Sequence, residues 1–438
     1  MSKVIQWINW SGSYVSTPDF IEYPSSEKEL LEIIDKAKTE NTTVKVVGSG
    51  HSCSLVGATK KGYLIDLKGY NQILEINTSL KTIKVAGGVS LEKICNTALE
   101  NKLALPNLGT IVEQSIAGAI STGTHGSGFK REALDQSVIA FTILTANGEK
   151  KVFDKYINSE EFYTAVVGIG ALGIISTVTL QLVDDFNLAI QTKSISFDEM
   201  IANVDCYKTN DYMRFWWAPH TNRVQFWTAH QTNQKTTKAS TILSWYQDIF
   251  KGNIMHEFGL WITSFFPNLI PQLNRFMFAS LLSKENKQIT NFLDGFTLPI
   301  HVKQSVMEYG IPIENTEEVL VKIKALLDQK KYKVHMPIEV RFAPKNKANL
   351  SMAYNRDTCY IGIIAYKPYG KTMDYDAYFK DVHDLFAVYK GRPHWAKVTY
   401  YNKAELNSLY PNWKAFKDLS EKLDPNKMFV NNFLKRIL

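Results

Sequence analysis

Two histidines of this chain lie inside glycine-rich segments, a pattern that could hold a phosphate-bearing cofactor. The run GSGHS at residues 48–52 follows an apolar stretch, a glycine pair stands at residues 87–88, and residues 118–128 read GAISTGTHGSG. Glycine lets the backbone approach a ligand closely, and successive N–H groups then form an anion-binding concavity. Any one of these segments is typical of an ordinary turn after a strand. The three together, with serine and threonine hydroxyls nearby, predict a pyrophosphate cradle.

The spacing of these glycines argues against the two commonest nucleotide-binding motifs. In a P-loop, Gly-Lys and then Ser or Thr follow a first glycine after four spacer residues, and none of these three segments continues in that way. The Rossmann fingerprint needs a third glycine where Cys53 stands, and no helix is expected to begin there. A nicotinamide cofactor is therefore disfavoured.

A second candidate cluster stands in the C-terminal half. Glu339 and Arg341 are two residues apart in an apolar run, so on a strand both side chains point to one face of the sheet. A carboxylate beside a guanidinium could orient or deprotonate a hydroxyl and stabilise negative charge. The alternative is an ion pair on an exposed strand. Further along the chain, the run HWAK adds His394 and Lys397.

The elements that must position these residues predict an α+β protein whose character changes near residue 185. Ser26 and Ser90 are expected to cap helices that reach about residues 37 and 101. Before residue 185 the predicted strands are 43–47, 73–76, 82–85, 138–145, 151–153 and 174–183, with a hairpin turn at 147–148. Beyond it we expect aromatic strands at 214–217 and 224–227, a helix at 316–330, strands at 337–342 and 360–366, and short helices after residues 410 and 425.

Composition narrows the classes of function. A chain of 438 residues that is 45% hydrophobic and 21% charged corresponds to two or three globular domains, not to a disordered or fibrous protein. Its net charge of +7 is a mild bias toward anionic partners, and no nucleic-acid surface is expected. The four cysteines lack CxxC spacing, so no metal site is predicted. The first ten residues lack the apolar core of a secretory signal, so we expect a cytoplasmic or membrane-peripheral protein.

The motifs, taken in order along the chain, resemble the FAD-binding domain of the vanillyl-alcohol oxidase superfamily. That resemblance rests on the runs VVGSGHS at 46–52, LPNLGT at 105–110 and GTHGSG at 123–128. The C-terminal half resembles the sugar-lactone oxidases, and gulonolactone oxidases most closely. The runs that carry this resemblance are EVRF at 339–342, RDTCY at 356–360, YGK at 369–371 and GRPHWAK at 391–397.

The resemblance implies a fold with two discontinuous domains. A PCMH-type FAD-binding domain would span residues 1–185, and an α+β cap domain with an antiparallel sheet would span residues 186–398. Residues 399–438 would return to the FAD-binding domain.

The resemblance also implies the residues that hold the cofactor. His51 would be joined covalently to the flavin 8α-methyl group, which tethers FAD and raises its potential. The pyrophosphate would be held by Gly48, Ser49, Gly50 and Ser52; the flavin would be lined by Thr122, Gly123, His125 and Gly126; the adenosine end would meet the backbone of Ile175. His125 is equally compatible with a buried histidine that bonds only to protein.

Further residues are implied at the reacting edge of the flavin. Gly109 would leave room for oxygen where the dehydrogenases of the family carry alanine, and Thr110 would offer a hydroxyl near the substrate. Glu339 would orient or deprotonate the reacting hydroxyl, and Arg341 would bond the lactone carbonyl or stabilise the reduced flavin. Lys397, with His394, would lie near the flavin N1–C2=O.

The implied activity is oxidation of the C2 hydroxyl of an aldono-1,4-lactone, with L-gulono-1,4-lactone as the leading substrate. The 2-keto-lactone would tautomerise to ascorbate or an analogue, and O2 would be reduced to H2O2. Gly362 and Ile364 stand where alditol oxidase has polyol-binding His and Thr, which favours a ring lactone. The alternatives are a dehydrogenase with a quinone or cytochrome acceptor, an oxidase of a D-arabinono- or L-galactono-lactone or of a polyol, and a flavin-binding protein without sugar turnover.

Residues 242–282 concentrate aromatic side chains. The longest uncharged run in this segment is 258–274, 17 residues broken by Pro267 and Pro271, and a membrane span needs about 20 apolar residues. The basic residues Lys251 and Arg275 flank this run, which suits contact with a membrane surface. A buried core of the cap domain, or a contact between two copies in a homodimer, fits equally well.

Overall fold

A computed structural model describes residues 5–207, 210–237 and 253–438 of the chain. Part of the aromatic segment predicted at 242–282 therefore lies outside the described residues. The helices of the described part are α1 (Glu27–Thr39), α2 (Leu91–Glu100), α3 (Ile116–Ser121), α4 (Leu134–Ser137), α5 (Ser159–Ala165), α6 (Phe197–Tyr207), α7 (His256–Thr263), α8 (Ile270–Met277), α9 (Phe292–Phe296), α10 (Thr316–Lys330), α11 (Asp376–Val388), α12 (Lys403–Leu409), α13 (Trp413–Leu423) and α14 (Asn432–Ile437).

The first 185 residues build a parallel sheet, an antiparallel sheet and two short strand pairs. The strands there are β1 (Trp7–Ile8), β2 (Val15–Ser16), β3 (Phe20–Glu22), β4 (Val44–Val47), β5 (Tyr63–Asp66), β6 (Ile73–Asn77), β7 (Thr82–Ala86), β8 (Leu103–Ala104), β9 (Val138–Leu144), β10 (Lys150–Asp154), β11 (Ile174–Gln181) and β12 (Val183–Asp184). The parallel sheet has the order β3-β5-β4, and the antiparallel sheet has the order β10-β9-β11-β7-β6.

Local sequence signals place most of these elements correctly. The Ser26 and Ser90 side chains accept from the backbone N–H of Glu29 and Lys93, as predicted for helix caps. The hairpin between β9 and β10 turns at Gly148, whose φ of +81° is easily adopted by glycine. One detail differs: residues 116–121 form helix α3, so the loop that carries His125 begins only at Thr122.

The second half of the chain builds one antiparallel sheet of eight strands. These are β13 (Asn187–Ile195), β14 (Tyr212–Ala218), β15 (Arg223–Thr232), β16 (Asn286–Asn291), β17 (Gln304–Pro312), β18 (Ile338–Ala343), β19 (Thr358–Tyr366) and β20 (Arg392–Pro393). Their order is β16-β13-β15-β14-β18-β19-β17-β20. The aromatic strands β14 and β15 are longer than predicted, because they pair with each other from Tyr212 and Ala229 to Ala218 and Arg223.

One face of this large sheet is covered by helices. Phe197 of α6 packs on Trp217 with ring centroids 4.7 Å apart, and Phe386 of α11 stacks on Tyr309 at 5.1 Å. Strand side chains alternate between faces. The residues next to these in the strands therefore point away from the helices, toward the loops of the first 185 residues.

The C-terminal helices pack against the first half of the chain. The backbone N–H of Val44 donates to the carbonyl of Met428 over 2.9 Å, and the Lys45 ammonium donates to the carbonyls of Phe429 and Gly170. Burial lowers the pKa of Lys45 to about 7, and the charge of Asp424 opposes this shift. Within the described ranges, no helix is both long and apolar enough to cross a membrane.

Candidate active site

A loop from the first 185 residues meets the large sheet at Glu339 and Arg341. Both side chains point from β18 to the same face, as their spacing predicts. The Arg341 guanidinium donates to Glu339 Oε1 over 2.8 Å and also to the hydroxyl of Thr110. Trp216 of β14 donates its indole N–H to the same Glu339 Oε1 over 2.8 Å. The carboxylate is therefore held on one oxygen by two donors.

These donors keep the Glu339 carboxylate charged inside the protein. Burial by itself would raise the pKa of Glu339, but the charges of Arg341 and Arg214 and the two hydrogen bonds hold it below its usual range. Its second oxygen, Oε2, has no hydrogen-bond partner among the described residues. The site thus presents an ionised carboxylate oxygen that can accept a hydrogen bond from a hydroxyl.

Two rows of paired residues cross the sheet on this face. In the first, Gly362 of β19 lies between Glu339 and Glu308 of β17. In the second, Arg341 lies between Arg214 of β14 and Tyr360 of β19. Acidic and basic side chains of the middle strands thus surround Gly362, which has no side chain.

His125 docks its loop onto this face through a buried ion pair. Its Nδ1 lies 3.0 Å from the Gly126 carbonyl and its Nε2 lies 2.7 Å from Glu308 Oε1, while its ring stacks on Tyr360. Burial alone would raise the pKa of Glu308, but His125 and the charge of Lys397 lower it. Because the carbonyl only accepts, Nδ1 is the donor in its hydrogen bond to Gly126. Both ring nitrogens of His125 are therefore bonded to protein.

The HWAK run forms a turn that meets the loop of His51. The carbonyl of Ala396 accepts from the backbone N–H of Cys53 over 2.7 Å, and Trp395 donates to Leu350. Trp395 is thus a packing residue, while His394 is bonded through its backbone N–H to the carbonyl of Glu308. Burial lowers the pKa of His394 to about 3, so the ring is neutral. The turn places Lys397 near His51, whose pKa its charge lowers.

His51 carries a buried nitrogen without a partner. Its ring stacks on Trp10 with centroids 5.1 Å apart, and the described residues offer no hydrogen bond to its Nδ1. Burial lowers the pKa of His51, Glu113 opposes this, and Lys397 adds to it. A neutral imidazole with an unpaired buried nitrogen needs a ligand or a bond at that atom.

The glycine cradle is tight, and its hydroxyls are already used. A Cβ at Gly48 would overlap the hydroxyl of Ser115, so only glycine allows this approach of the two loops. Ser49 donates to the carbonyl of Glu113 and Thr122 donates to Gly118. Ser52 bonds to the Ser54 hydroxyl and to the carbonyl of Ala396. The backbone N–H groups of residues 48–52 therefore remain as the donors for an anion. These features fit an FAD-type cofactor.

Two further positions of the predicted cofactor site lie at backbone junctions. Ile175 of β11 is paired with Ile143 beside a bulge, and a Cβ at Gly87 would overlap its carbonyl oxygen. Gly109 precedes Thr110, and a Cβ there would lie 3.2 Å from the His125 carbonyl oxygen. A methyl group at residue 109 would therefore make a tight contact with this oxygen, which would have to move by a few tenths of an ångström.

Sequence reasoning missed four side chains that complete this face: Arg214, Trp216, Glu308 and Tyr360. Arg214 and Trp216 show the same two-residue spacing as Glu339 and Arg341, and Glu308 is a lone charge in an apolar run. Both signals were available, but neither tells which strands become neighbours.

Comparison with known proteins identifies the family of the chain. The family model described as D-arabinono-1,4-lactone oxidase matches residues 178–437, and a model described as FAD binding domain matches residues 18–153. L-gulonolactone oxidase of Bos taurus is 36% identical over 99% of this chain and 98% of that protein. L-gulono-1,4-lactone dehydrogenase of Mycobacterium tuberculosis is 32% identical over 99% of both chains. D-arabinono-1,4-lactone oxidase of Candida glabrata is 30% identical over 89% of this chain and 83% of the other.

A solved structure shows the same fold at low sequence identity. The crystal structure of cholesterol oxidase from B. sterolicum superposes with a TM-score of 0.81 at 14% identity, covering 100% of this chain and 97% of that one. The expected α+β class, with an FAD-binding domain and an antiparallel cap sheet, is confirmed.

Proposed function

This chain belongs to the D-arabinono-1,4-lactone oxidase family, and we propose that it oxidises the C2 hydroxyl of L-gulono-1,4-lactone with O2 as electron acceptor. It is an FAD-dependent aldonolactone oxidoreductase. The choice of this lactone, and of oxygen rather than a quinone or cytochrome, belongs to the proposal. The observation that carries it is the ionised Glu339 carboxylate, fixed on one oxygen and open on the other.

The side chains of this site would bind and orient the lactone as follows. Glu339 Oε2 accepts the hydrogen of the reacting hydroxyl and holds that proton when the C–H bond breaks. Thr110 accepts from Arg341, so its own O–H is left to donate to a lactone oxygen. Bound FAD supplies the acceptor for the hydride that leaves the carbon. Arg341 keeps Glu339 in place and adds positive charge beside the ring oxygens.

Gly362 supports a ring lactone over an open-chain polyol. It lies between Glu308 and Glu339 in the sheet, and a Cβ there would come within 3.8 Å of the Glu308 side chain. A glycine leaves a flat surface for a five-membered ring, with a carboxylate on either side. The product would be a 2-keto-lactone that tautomerises to ascorbate or an analogue.

We also propose the cofactor contacts and the division into domains. FAD would be tethered through His51, with its pyrophosphate on the backbone of 48–52 and its flavin between residues 122–126 and the turn of His394 and Lys397. The unpaired His51 Nδ1 and the close approach at Gly48 support this placement. The FAD-binding domain would comprise residues 1–185 and 399–438, since the loop between α13 and α14 bonds to β4.

The test of the function is anaerobic reduction of the purified yellow protein by a panel of lactones. L-gulono-1,4-lactone is expected to bleach the flavin faster than D-arabinono- or L-galactono-1,4-lactone, and air is expected to restore the colour with release of H2O2. No bleaching by any lactone would exclude sugar turnover. Bleaching without reoxidation in air would identify a lactone dehydrogenase, the activity named for the mycobacterial relative.

Gly109→Ala is expected to slow reoxidation by O2 by at least about tenfold, an increase of about 1.4 kcal/mol in the barrier. The family resemblance puts residue 109 at the reactive edge of the flavin, where a methyl group would fill the space that oxygen needs. Stopped-flow mixing of reduced enzyme with aerated buffer measures this step. The rate at which the lactone reduces the flavin should change little, because the methyl group requires the His125 carbonyl oxygen to move by only a few tenths of an ångström. Equal slowing of both steps would contradict a role in oxygen access.

We further propose that the protein contacts an anionic membrane surface through an aromatic surface on α7, α8 and the turn between them. Its exposed side chains are Phe258, Trp261, Phe265, Phe266, Leu269 and Phe276, with Phe266 62% exposed. Lys371 lies over the Phe265 ring at 3.2 Å, and Arg275 lies in the last turn of α8. Aromatic side chains with a basic rim suit the headgroup region of anionic lipids.

The double variant Trp261→Glu, Phe265→Glu is expected to abolish co-sedimentation with vesicles of phosphatidylcholine and phosphatidylserine. The variant Leu80→Glu, Ile157→Glu, which changes exposed apolar residues elsewhere, should sediment like the wild type. If the aromatic surface joins two copies instead, light scattering will show a dimer that dissociates in the first variant and no vesicle binding in either protein.

A further inference from the structure

Arg214 is a buried arginine whose guanidinium makes no hydrogen bond within the described residues. It is 7% exposed and lies beside Arg341 in the sheet. The other two buried arginines among the described residues both have hydrogen-bond partners. Arg341 donates to Glu339, and Arg392 donates to three backbone carbonyls. The Nε of Arg214 is fully buried without a partner. Such a group is costly unless a ligand completes its hydrogen bonds.

Arg214 lies on the face of the sheet that carries the candidate active site. Its guanidinium lies 4.7 Å from the ring of Trp216 and 4.8 Å from the ring of Trp227. The two indoles hold the guanidinium by cation–π contact, so its N–H groups are left to bond elsewhere. Arg214 shares its sheet face with Trp216, which bonds to Glu339. The open N–H groups therefore belong to the surface that carries Glu339 and Arg341.

The charges around Arg214 do not balance. Burial and the nearby Arg341 lower its pKa to about 10, and Glu339 opposes this, so the guanidinium is charged at neutral pH. Among the described residues, Glu339 is the carboxylate that acts on both arginines, and it is bonded to Arg341. Glu308, the other carboxylate on this face, is bonded to His125. One buried positive charge is thus left without an anion in the part of the chain that the structure describes.

We propose that Arg214 binds the lactone oxygens beside the reacting carbon and binds them most tightly in the ene-diolate anion of the product. This inference rests on the proposed function. The ene-diol tautomer of a 2-keto-lactone is a vinylogous carboxylic acid, so at neutral pH it is an anion whose charge is shared by coplanar oxygens. A planar guanidinium matches that geometry, as it matches a carboxylate. The neutral lactone carries no such charge and gains less from Arg214. The product therefore competes with the substrate through Arg214.

The test compares inhibition by L-ascorbate with binding of L-gulono-1,4-lactone in the holoenzyme. Initial rates of oxygen uptake, corrected for a blank without enzyme, give the ascorbate Ki and the lactone KM. In Arg214→Gln the Ki is expected to rise about 10- to 100-fold, the range for a lost hydrogen bond between charged groups. The KM should rise by a clearly smaller factor. Arg214→Lys keeps the charge without the planar guanidinium. Its ascorbate Ki should lie between the values for the wild type and for Arg214→Gln.

Two controls separate this role from a structural one. Arg223→Gln removes the same charge from an exposed position on β15 and should leave both constants unchanged. Calorimetric titration of each oxidised protein with ascorbate measures the same affinity without turnover. It therefore tests Arg214 even if no lactone is oxidised, an outcome that would reject the proposed function alone. An ascorbate affinity that is unchanged in Arg214→Gln and Arg214→Lys, or a Ki that rises by the same factor as KM, overturns the proposal.

Discussion

Glu339→Gln is expected to lower kcat/KM for L-gulono-1,4-lactone by about 10²- to 10⁴-fold, the range for loss of a proton acceptor at the reacting group. The glutamine amide can still occupy the space and accept from Arg341 and Trp216 through its oxygen. Its NH2 group then stands where Glu339 Oε2 accepts a hydrogen bond, and it cannot take a proton from a hydroxyl. Anaerobic reduction of the flavin in single-turnover mixing measures the step directly.

The matched control for this change is Glu317→Gln, at an exposed position on α10. It should leave kcat/KM at the wild-type value. The pH profile is a second check on the same residue. The lowered pKa of Glu339 keeps it ionised at neutral pH, so its contribution to kcat/KM should be lost only when the pH falls below the usual carboxyl range. If Glu339→Gln keeps more than about a third of the activity, Glu339 is a structural partner of Arg341 and not a proton acceptor.

His51→Ala is expected to release the flavin from the protein on precipitation with trichloroacetic acid. In the wild type the yellow colour should stay in the pellet, because a bond at the unpaired imidazole nitrogen survives denaturation. In the variant the colour should pass to the supernatant. Flavin reduction by the lactone should also slow, since loss of the electron-withdrawing histidyl group lowers the flavin potential. Absorbance of the two fractions and a potentiometric titration measure these effects.

His230→Ala is the control for His51, because His230 is exposed on β15 and lies outside the site. Its flavin should remain in the pellet. Colour in the wild-type supernatant would show that FAD is bound without a covalent link. Colour that stays in the pellet of His51→Ala would place the attachment at another residue.

Local interactions explain how far the sequence predicted the fold. The caps at Ser26 and Ser90, the turn at Gly148 and helix α10 all depend on contacts within a few residues. The spacing of Glu339 and Arg341 likewise implied a shared face of a strand. The order of the eight strands depends on pairing between distant segments, so the row Glu308–Gly362–Glu339 was not visible in the chain.

The sequence by itself determined which groups are candidates for the chemistry: a glycine-rich segment with His51, a Glu-x-Arg pair on a strand, and the HWAK run. Only the tertiary structure decided which side chains those groups meet. Thr110 and Arg341 are 231 positions apart, His125 and Glu308 are 183 apart, and Arg214 joins them through the pairing of β14 with β18. The physical reason is that hydrogen bonding, charge and desolvation act over a few ångströms in space. The type of each residue is fixed by the sequence. Whether its charge is neutralised depends on which residues the neighbouring strands bring beside it.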